Sequence, residues 1–94
     1  MKQPESAGPW FWLRGEGGTG QALAGVRHAA GLTQAVTASR AGIDRTTLID
    51  IEAGRSTAVN RFVGLFNRMG YDLIAVPRGA RVTVAAGDQD GTAS

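Results

Sequence analysis

The sequence predicts a mostly α-helical domain of four helices, with a small β-sheet formed by short strands near the two ends of the chain. Two observations favour this class. Between residues 20 and 69, apolar side chains recur at spacings of three and four and glycines interrupt them, the pattern of amphipathic helices joined by turns. Residues 10–14 and 72–76 are short bulky runs, which are typical of strands. A chain of 94 residues allows one domain with a small core.

The N-terminal part, residues 1–18, is expected to be a disordered arm that carries a short strand and a glycine-rich linker. The run Trp10-Phe11-Trp12-Leu13 is costly to leave in water, so it should pack on something. Two interpretations remain open at this point. The run either packs against the domain's own sheet or forms a docking patch for a partner.

Residues 15–20 fit the pattern G-x-G-x-x-G between a predicted strand and a predicted helix. A dinucleotide site needs a second parallel strand after the helix and an acid about 20 residues on. Here another helix is predicted next, and the chain has no acid between Glu16 and Asp44. We therefore interpret the glycines as a linker, with Thr19 as the N-cap of the first helix.

The first helix is predicted over residues 20–30, with Leu23, Val26 and Ala30 facing inward. The single histidine, His28, falls outside that stripe and is expected at the surface. The chain has no cysteine, so the sequence lacks the parts of a metal site or a catalytic triad.

Two short helices joined by a tight turn follow. Thr33 has the side chain of an N-cap, and Gly42 can take the left-handed conformation that ends a helix. Asp44 is then expected to cap the next helix, whose inward residues are Leu48 and Ile51. Two helices that cross at a glycine-containing turn are a helix-turn-helix.

The fourth helix is predicted over residues 58–69, capped by Thr57. Its stripe should face the core and consists of Val59, Phe62, Val63, Phe66 and Met69. Strands are predicted at 72–76 and 81–86, joined by a type I turn around Pro77-Arg78-Gly79. The helix-turn-helix domain, with its terminal strands, is placed at residues 19–87, and residues 88–94 are expected to be a disordered tail.

The middle of the chain also resembles a known family. Gly31-Leu32-Thr33-Gln34, Ala41-Gly42-Ile43 and Ile51-Glu52-Ala53-Gly54 stand at the spacing of the Cro/lambda-repressor-type (XRE) helix-turn-helix family. The likeness covers residues 23–77. Residues 69–77, Met-Gly-Tyr-Asp-Leu-Ile-Ala-Val-Pro, look most like the HipB-like antitoxin branch, in which a strand follows the fourth helix. The resemblance implies a lambda-repressor-like fold.

Two structural expectations come from that resemblance. The family pairs an arginine with the glutamate of Ile-Glu-x-Gly, which implies an Arg27–Glu52 ion pair that fixes the first helix against the third. The family also buries a leucine where this chain has Thr37. The Thr37 hydroxyl could bond back to the carbonyl of Thr33.

The third helix is expected to enter the major groove of DNA with its N-terminal residues at the base edges. The predicted base-reading residues are Arg45, Thr46, Ile49 and Asp50. By resemblance, the residues expected to hold phosphates are Thr33, Gln34, Thr47 and Arg55.

Two of these residues are unusual for a DNA-facing surface. Ile49 is apolar where the family usually has a polar residue, so it either touches a thymine methyl group or is partly buried. Asp50 repels phosphates, although a carboxylate can accept a hydrogen bond from cytosine N4.

Charge is compatible with a DNA partner. Between residues 27 and 81 the chain has eight arginines and four acids, a local net charge of +4 that suits a phosphate backbone. The expected assembly is a homodimer on a palindromic operator, because one recognition helix reads few base pairs. The small sheet of the terminal strands is expected to form between subunits, and the residues assigned to these dimer strands are Leu73, Ile74, Val76, Val82 and Val84.

The sequence therefore predicts a cytoplasmic, sequence-specific DNA-binding repressor, the autorepressing antitoxin of a toxin–antitoxin pair, with a cognate toxin as a further partner. No enzymatic activity, cofactor, metal or membrane association is expected. One alternative is a protein-interaction module in which Asp50 and Ile49 mark a weakened DNA face. A nucleotide-binding enzyme is disfavoured because a general base and a set of metal ligands are lacking.

Overall fold

A computed structural model describes residues 9–15 and 17–85 of the chain. Of the disordered arm predicted at residues 1–18, residues 1–8 and 16 lie outside the described residues, as does the tail predicted at residues 88–94. The elements follow in the order β1 (Phe11–Trp12), α1 (Gly18–Ala29), α2 (Gln34–Ala41), α3 (Arg45–Glu52), α4 (Thr57–Arg68) and β2 (Ile74–Ala75). The prediction of a mostly helical, four-helix domain with a small sheet is confirmed.

The helix-turn-helix is formed by α2 and α3. The Thr33 Oγ1 accepts from the backbone N–H of Val36 at 3.1 Å, which satisfies one of the free donors at the start of α2. Gly42 ends α2 with φ 71°, a conformation that costs a residue without Cβ little. Asp44 is the N-cap residue of α3, but its side chain makes no capping hydrogen bond. The sequence therefore placed Asp44 correctly at the N-cap, but the hydrogen bond expected of its side chain does not form.

The core takes one buried side chain from each of the four helices, and its members are small or aliphatic. The buried apolar residues among those described are Ala22, Ala38, Leu48 and Val63. A Cβ atom on Gly20 would overlap the backbone carbonyls of Ile51 and Glu52. Glycine is thus what allows α1 to lie directly against the end of α3.

Three sequence expectations about the helix ends and faces are wrong in detail. The cap of α1 is Gly17 rather than Thr19, and no side-chain hydrogen bond forms there. The cap of α4 is Ser56, whose Oγ accepts from the N–H of Val59 at 3.4 Å, while Thr57 is the first helical residue. On α1, Val26 is 43 % exposed, because the core contacts of that helix are made through Gly20 and Ala22.

The two strands pair antiparallel within one chain, with Phe11 opposite Ala75 and Trp12 opposite Ile74. The Phe11 ring lies against α1 at Gly25, where a Cβ atom would overlap it. Of the two interpretations of the aromatic run, burial against the domain's own sheet is the one observed. The expectation that this sheet forms between subunits is wrong for these two strands, because β1 and β2 pair within one protomer.

The outer face of β1 is also held by side chains of the same chain. The Trp10 and Trp12 rings meet edge to face, with centroids 5.1 Å apart. The Arg14 guanidinium lies 3.9 Å from the centre of the Trp12 ring and 3.0 Å from the Asp72 carboxylate. The cation–π contact and the ion pair both favour this placement of the strand.

The second C-terminal strand predicted at 81–86 is not formed over the described part of that range. Arg81 makes a single bridge, and residues 82–85 have no strand structure. The preceding turn is closed by a 3.0 Å hydrogen bond from the N–H of Ala80 to the carbonyl of Pro77. Gly79 is the third residue of that turn and has φ 84°. This is the conformation of a type II turn rather than the predicted type I.

Helix α4 does not bury the stripe that its periodicity suggested. Val63 is 7 % exposed, but Phe62 is 61 % exposed and Met69 is 75 % exposed. Phe66 is 38 % exposed and meets the Phe62 ring edge to face, with centroids 5.4 Å apart. The helix touches the core along one narrow line, and most of its apolar surface faces solvent.

The expected hydrogen bond of Thr37 is also wrong. The Thr37 Oγ1 is buried and has no hydrogen-bond partner among the described residues. A buried hydroxyl without a partner loses its water contacts and gains nothing in exchange. This position is therefore a point of weakness in the α2 packing.

Candidate nucleic-acid interface

The first turn of α3 is the most open part of the helix-turn-helix. Arg45, Thr46 and Thr47 are exposed, whereas Leu48 is only 2 % exposed. Leu48 fixes the helix on the core and leaves the preceding turn in solvent. The N-terminal end of α3 can therefore approach a groove or a phosphate backbone without any rearrangement of the core.

One turn further on, the exposed side of α3 continues through Ile49 and Asp50, which are both half-buried. Part of the Ile49 side chain is thus covered by the protein, and part remains open to a ligand. The four residues assigned from sequence to base reading lie on two successive turns of one helix.

The Asp50 carboxylate is engaged by an arginine of the following loop. Its Oδ1 accepts from Arg55 Nε at 3.1 Å and from Arg55 Nη2 at 2.9 Å. The Arg55 backbone N–H also donates to the Asp50 carbonyl at 2.8 Å. Both Arg55 donors converge on one carboxylate oxygen, so the Nη1 group of Arg55 makes no contact with Asp50. The sequence placed both residues at the DNA face but did not show that they form a pair.

Asn60 is a supporting residue that sequence reasoning missed. Its Nδ2 donates to the carbonyl of Gly54 at 2.9 Å and ties the loop between α3 and α4 to the first turns of α4. The loop that Asn60 fixes carries Arg55 at its next position. An asparagine within a helix has no sequence signature for such a role.

Arg27 and Glu52 form an ion pair between α1 and α3. Arg27 Nε lies 2.8 Å from Glu52 Oε2, and Arg27 Nη2 donates to Oε1 at 3.0 Å. The two side chains are 11 % and 7 % exposed, and Arg27 Nη1 also donates to the carbonyl of Leu32 at 2.9 Å. The bidentate geometry is the strong form of an arginine–carboxylate contact.

The hydrogen bond to Arg27 lowers the pKa of Glu52, against the opposing effect of burial, and a further hydrogen bond from Gln34 lowers that pKa as well. The same hydrogen bond to Glu52 raises the pKa of Arg27 above its ordinary value. Gln34 Nε2 donates to Glu52 Oε1 at 3.2 Å. Glu52 therefore links α1, α2 and α3. It also fixes the side chain of Gln34, which the sequence analysis assigned to a phosphate contact.

The residues assigned to dimer strands fall into two groups. Leu73, Ile74 and Val76 are half-buried beside β1. Val82 is 37 % exposed and Val84 is 64 % exposed. The second group projects from a segment without strand structure.

The exposed charge in the described part of the chain is positive. Asp50, Glu52 and Asp72 each pair with an arginine of the same chain, which leaves Asp44 as the acid without an ion pair in residues 9–15 and 17–85. The arginines without an ion pair in those same ranges are Arg40, Arg45, Arg61, Arg68, Arg78 and Arg81. A surface with this excess attracts polyanions.

A family model described as a helix-turn-helix domain matches residues 20–66, which is half of the chain. The match spans most of α1, both helices of the turn motif and most of α4. The chain belongs to the helix-turn-helix domain family. This family is of the XRE/Cro-like class, and the helix-turn-helix domain is one that DNA-binding regulators use. No curated protein and no solved structure matches the chain.

In this helix-turn-helix domain, α3 takes the place of the recognition helix, since it is the second helix of the motif. None of the helices in the described ranges is long and apolar enough to cross a membrane.

Proposed function

We propose that the protein is a dimeric, sequence-specific DNA-binding repressor. The observation that carries this proposal is the open first turn of α3. Arg45 is exposed there and has no ion pair in the described part of the chain. Five N–H donors in a fixed fork, with no intramolecular carboxylate to satisfy them, are suited to the paired acceptors of guanine.

Base reading is assigned to two turns of α3. Arg45 donates to guanine O6 and N7, and Thr46 bonds a base edge or touches a thymine methyl group. The open part of Ile49 adds an apolar contact to thymine. These contacts specify sequence, whereas the surrounding contacts only position the protein.

Phosphate contacts are assigned to the start of α2, to Thr47 within α3 and to Arg55 in the loop after α3. Gln34 has a second amide hydrogen beyond the one given to Glu52, and the Thr33 hydroxyl can still donate while it accepts from Val36. Thr47 is exposed, and Arg55 has a free Nη1. Such contacts hold the register of the domain on the duplex.

Dimerisation follows from the size of the reading surface. One recognition helix reads only a few base pairs, so domains of this kind bind two half-sites about 34 Å apart. We assign the interface to the C-terminal segment that follows β2, because Val82 and Val84 are apolar and exposed there. A two-fold axis at this end would make the operator palindromic.

We assign the protein to the HipB-like branch of the XRE family, as the autorepressing antitoxin of a toxin–antitoxin operon with a cognate toxin as its partner. The support is the short strand β2, which follows α4 after five residues. A strand at that position is what the resemblance of residues 69–77 to HipB-like antitoxins implies.

The test is DNA binding by purified full-length protein to the DNA upstream of its own coding sequence. Arg45→Ala should weaken binding to the preferred site by about 1–3 kcal/mol and relax preference at one base pair. Arg55→Ala should weaken binding to all sequences alike, because it leaves the Asp50 carboxylate unpaired on the DNA face, and it should lower the slope of log K against log salt concentration by about one. Arg78→Ala removes an exposed arginine of the C-terminal turn and is the matched control for loss of charge.

An unchanged footprint with Arg45→Ala would show that α3 is not the reader. Failure of the wild-type protein to shift any duplex at low salt would contradict DNA binding altogether.

The alternative function, a protein-interaction module with weakened DNA binding whose partner is a toxin or a phage regulator, is favoured by one observation. The Asp50–Arg55 pair neutralises a positive charge on the proposed DNA face. The same binding assay decides between the two functions. A repressor should bind its preferred duplex more tightly than other duplexes, with an affinity that falls as salt rises, whereas an interaction module would show no preference among duplexes.

A further inference from the structure

Helix α4 presents an apolar strip that no other described residue covers. We define the α4 strip as the four residues Phe62, Leu65, Phe66 and Met69. Their exposed fractions are, in that order, 61 %, 59 %, 38 % and 75 %. A contiguous exposed patch of this kind is uncommon on a soluble monomer and marks an interaction surface. The strip is distinct from α3 and from the Asp50–Arg55 pair.

One edge of the strip is basic. Arg61 and Arg68 are seven residues apart, so they lie two turns apart on the same side of α4. They line a groove of about 500 Å³ together with Leu65, and the other lining residues are Thr57, Asn60 and Gly64. A Cβ atom on Gly64 would meet nothing within 4 Å, so the groove is open where a partner's side chain would enter.

Neither Arg61 nor Arg68 has a carboxylate partner within the described part of the chain. Helix α4 contains no acid, and neither Arg61 nor Arg68 forms an ion pair within residues 9–15 and 17–85. The surface therefore combines exposed apolar side chains with an unmatched positive edge.

We propose that the α4 strip docks an amphipathic helix of another protein, one that carries acidic residues along the edge that meets Arg61 and Arg68. Leu65 lies between the two arginines in sequence and lines the same groove, so the apolar and the charged contacts are made by one continuous surface. A helix laid in a groove with anchors at spacings of three and four is a recurring mode of peptide recognition. The proposal does not depend on DNA binding.

Charge argues against a second copy of this chain as the occupant. Either occupant would bury the same apolar side chains, so that contribution does not discriminate between them. A two-fold antiparallel pair of α4 helices brings the same edge of each helix together, and thus Arg61 and Arg68 of both copies. Among the described acids, a second copy could offer only Asp44, because the other three are already paired. Like charges placed opposite one another select against that partner.

The experiment uses the full-length protein and two fluorescently labelled synthetic helical peptides. Both peptides carry the same leucine stripe, but one has glutamates along its flanks and the other has lysines. We expect the glutamate peptide to bind roughly tenfold tighter or better by fluorescence anisotropy, since several partly exposed charge pairs add up.

Variants separate the two parts of the surface. Arg61→Gln/Arg68→Gln should remove the preference between the peptides, and Phe62→Ser/Leu65→Ser should weaken both peptides. Arg40→Gln/Arg78→Gln removes the same charge elsewhere and should keep the preference. Thermal unfolding by circular dichroism checks that every variant folds.

Three results would overturn the proposal. The first is absence of binding to either peptide, or equal binding to both. The second is a self-association that Phe62→Ser/Leu65→Ser abolishes, which would make the strip a homodimer interface. The third is binding to vesicles of anionic phospholipid that the same variant abolishes, without any preference between peptides, which would assign the strip to a membrane surface.

Discussion

At the scale of single residues, the ion pair with Asp50 reduces the positive charge that Arg55 can offer to DNA. An acid on the DNA side of a recognition helix repels phosphates if its charge is free. Here the carboxylate accepts two hydrogen bonds from one guanidinium, and both side chains remain largely in solvent, 46 % and 61 % exposed. Such a pair adds about 0–1 kcal/mol to stability at most. Its main effect is to cancel the charge of a predicted phosphate contact.

We therefore expect Asp50→Asn to tighten binding to every DNA sequence, because Arg55 then acts as a full positive charge. The slope of log K against log salt concentration should become steeper by about one. The measurement is anisotropy on a specific and a random duplex over a range of salt. The double variant Asp50→Asn/Arg55→Ala is the control and should lose the increase. A loss of discrimination at one base pair, with no general tightening, would instead show that Asp50 reads cytosine.

Thr37 is a second residue whose environment gives a prediction. Thr37→Val keeps the branched shape and removes a buried hydroxyl that lacks a partner. We expect a gain of about 1 kcal/mol in the free energy of unfolding. Chemical denaturation measures the gain, and Thr57→Val, on an exposed threonine, is the matched control. A loss of stability would mean that the hydroxyl is satisfied in solution.

The sequence alone could assign Leu48 to the inward side of α3, because a helical period places Leu48 and Ile51 on one side of the helix and Thr46 on the opposite side. Partners of long polar side chains are not encoded in a period. Asp50 with Arg55 and Gln34 with Glu52 meet across a loop or between helices, and their contacts depend on the crossing of α2 and α3. Resemblance to a family supplied the expectation for Arg27 and Glu52, which spacing could not give.

At the scale of elements, the contact of Glu52 with both Arg27 and Gln34 joins α3 to α1 and α2. The pKa of Glu52 is lowered in the folded protein, chiefly by the hydrogen bond from Arg27. The stability from this group is fully present above its unfolded pKa of about 4.3 and is lost as pH falls through the lower folded value.

Glu52→Gln should accordingly unfold more easily than the wild type at pH 7, with a difference that shrinks as the pH falls below about 4.3. Urea denaturation between neutral and acid pH measures this difference. A difference independent of pH would show that Glu52 acts by packing and not by its charge.

The crossing of α1 and α3 depends on Gly20. Gly20→Ala places a methyl group against the carbonyls of Ile51 and Glu52, and backbone atoms cannot move aside as a side chain does. We expect a loss of about 1–3 kcal/mol or more. Gly64→Ala is the matched control on another helix, where the methyl group meets nothing within 4 Å and should stabilise by about 1 kcal/mol. Thermal unfolding of both variants checks the contrast.

The helices could be predicted to within two residues at most ends, because caps and glycines mark them. The face that each helix buries was harder to predict. Periodicity shows that α4 is amphipathic, but it does not show whether its apolar side meets this chain or another. Phe62 and Met69 have the spacing of core residues, yet α4 meets the core mainly at Val63. The prediction of a strand at 81–86 was wrong for a similar reason, since the periodicity of β2 does not show its partner, and β2 pairs with β1.

At the scale of the whole molecule, two of the exposed apolar regions within residues 9–15 and 17–85 bear on assembly. One is the α4 strip, and the other is the C-terminal segment with Val82 and Val84. A dimer of DNA-binding domains and a complex with another protein would each need one of them. The basic edge of α4 favours an acidic partner there, which leaves the C-terminal segment for the second copy.

This division of surfaces is open to a direct test. Val82→Ser/Val84→Ser removes two exposed apolar side chains from a segment without helix or strand, so folding of the four helices should be unaffected. We expect this variant to sediment as a monomer and to lose affinity for the full operator, because cooperative occupation of two half-sites about 34 Å apart requires a dimer. Its affinity for an isolated half-site should stay that of the wild type, since α3 is untouched. Phe62→Ser/Leu65→Ser is the matched control with two apolar losses on α4, and it should remain a dimer in analytical ultracentrifugation. The reverse outcome, a monomer from the α4 variant and a dimer from the C-terminal variant, would place the two-fold axis at α4.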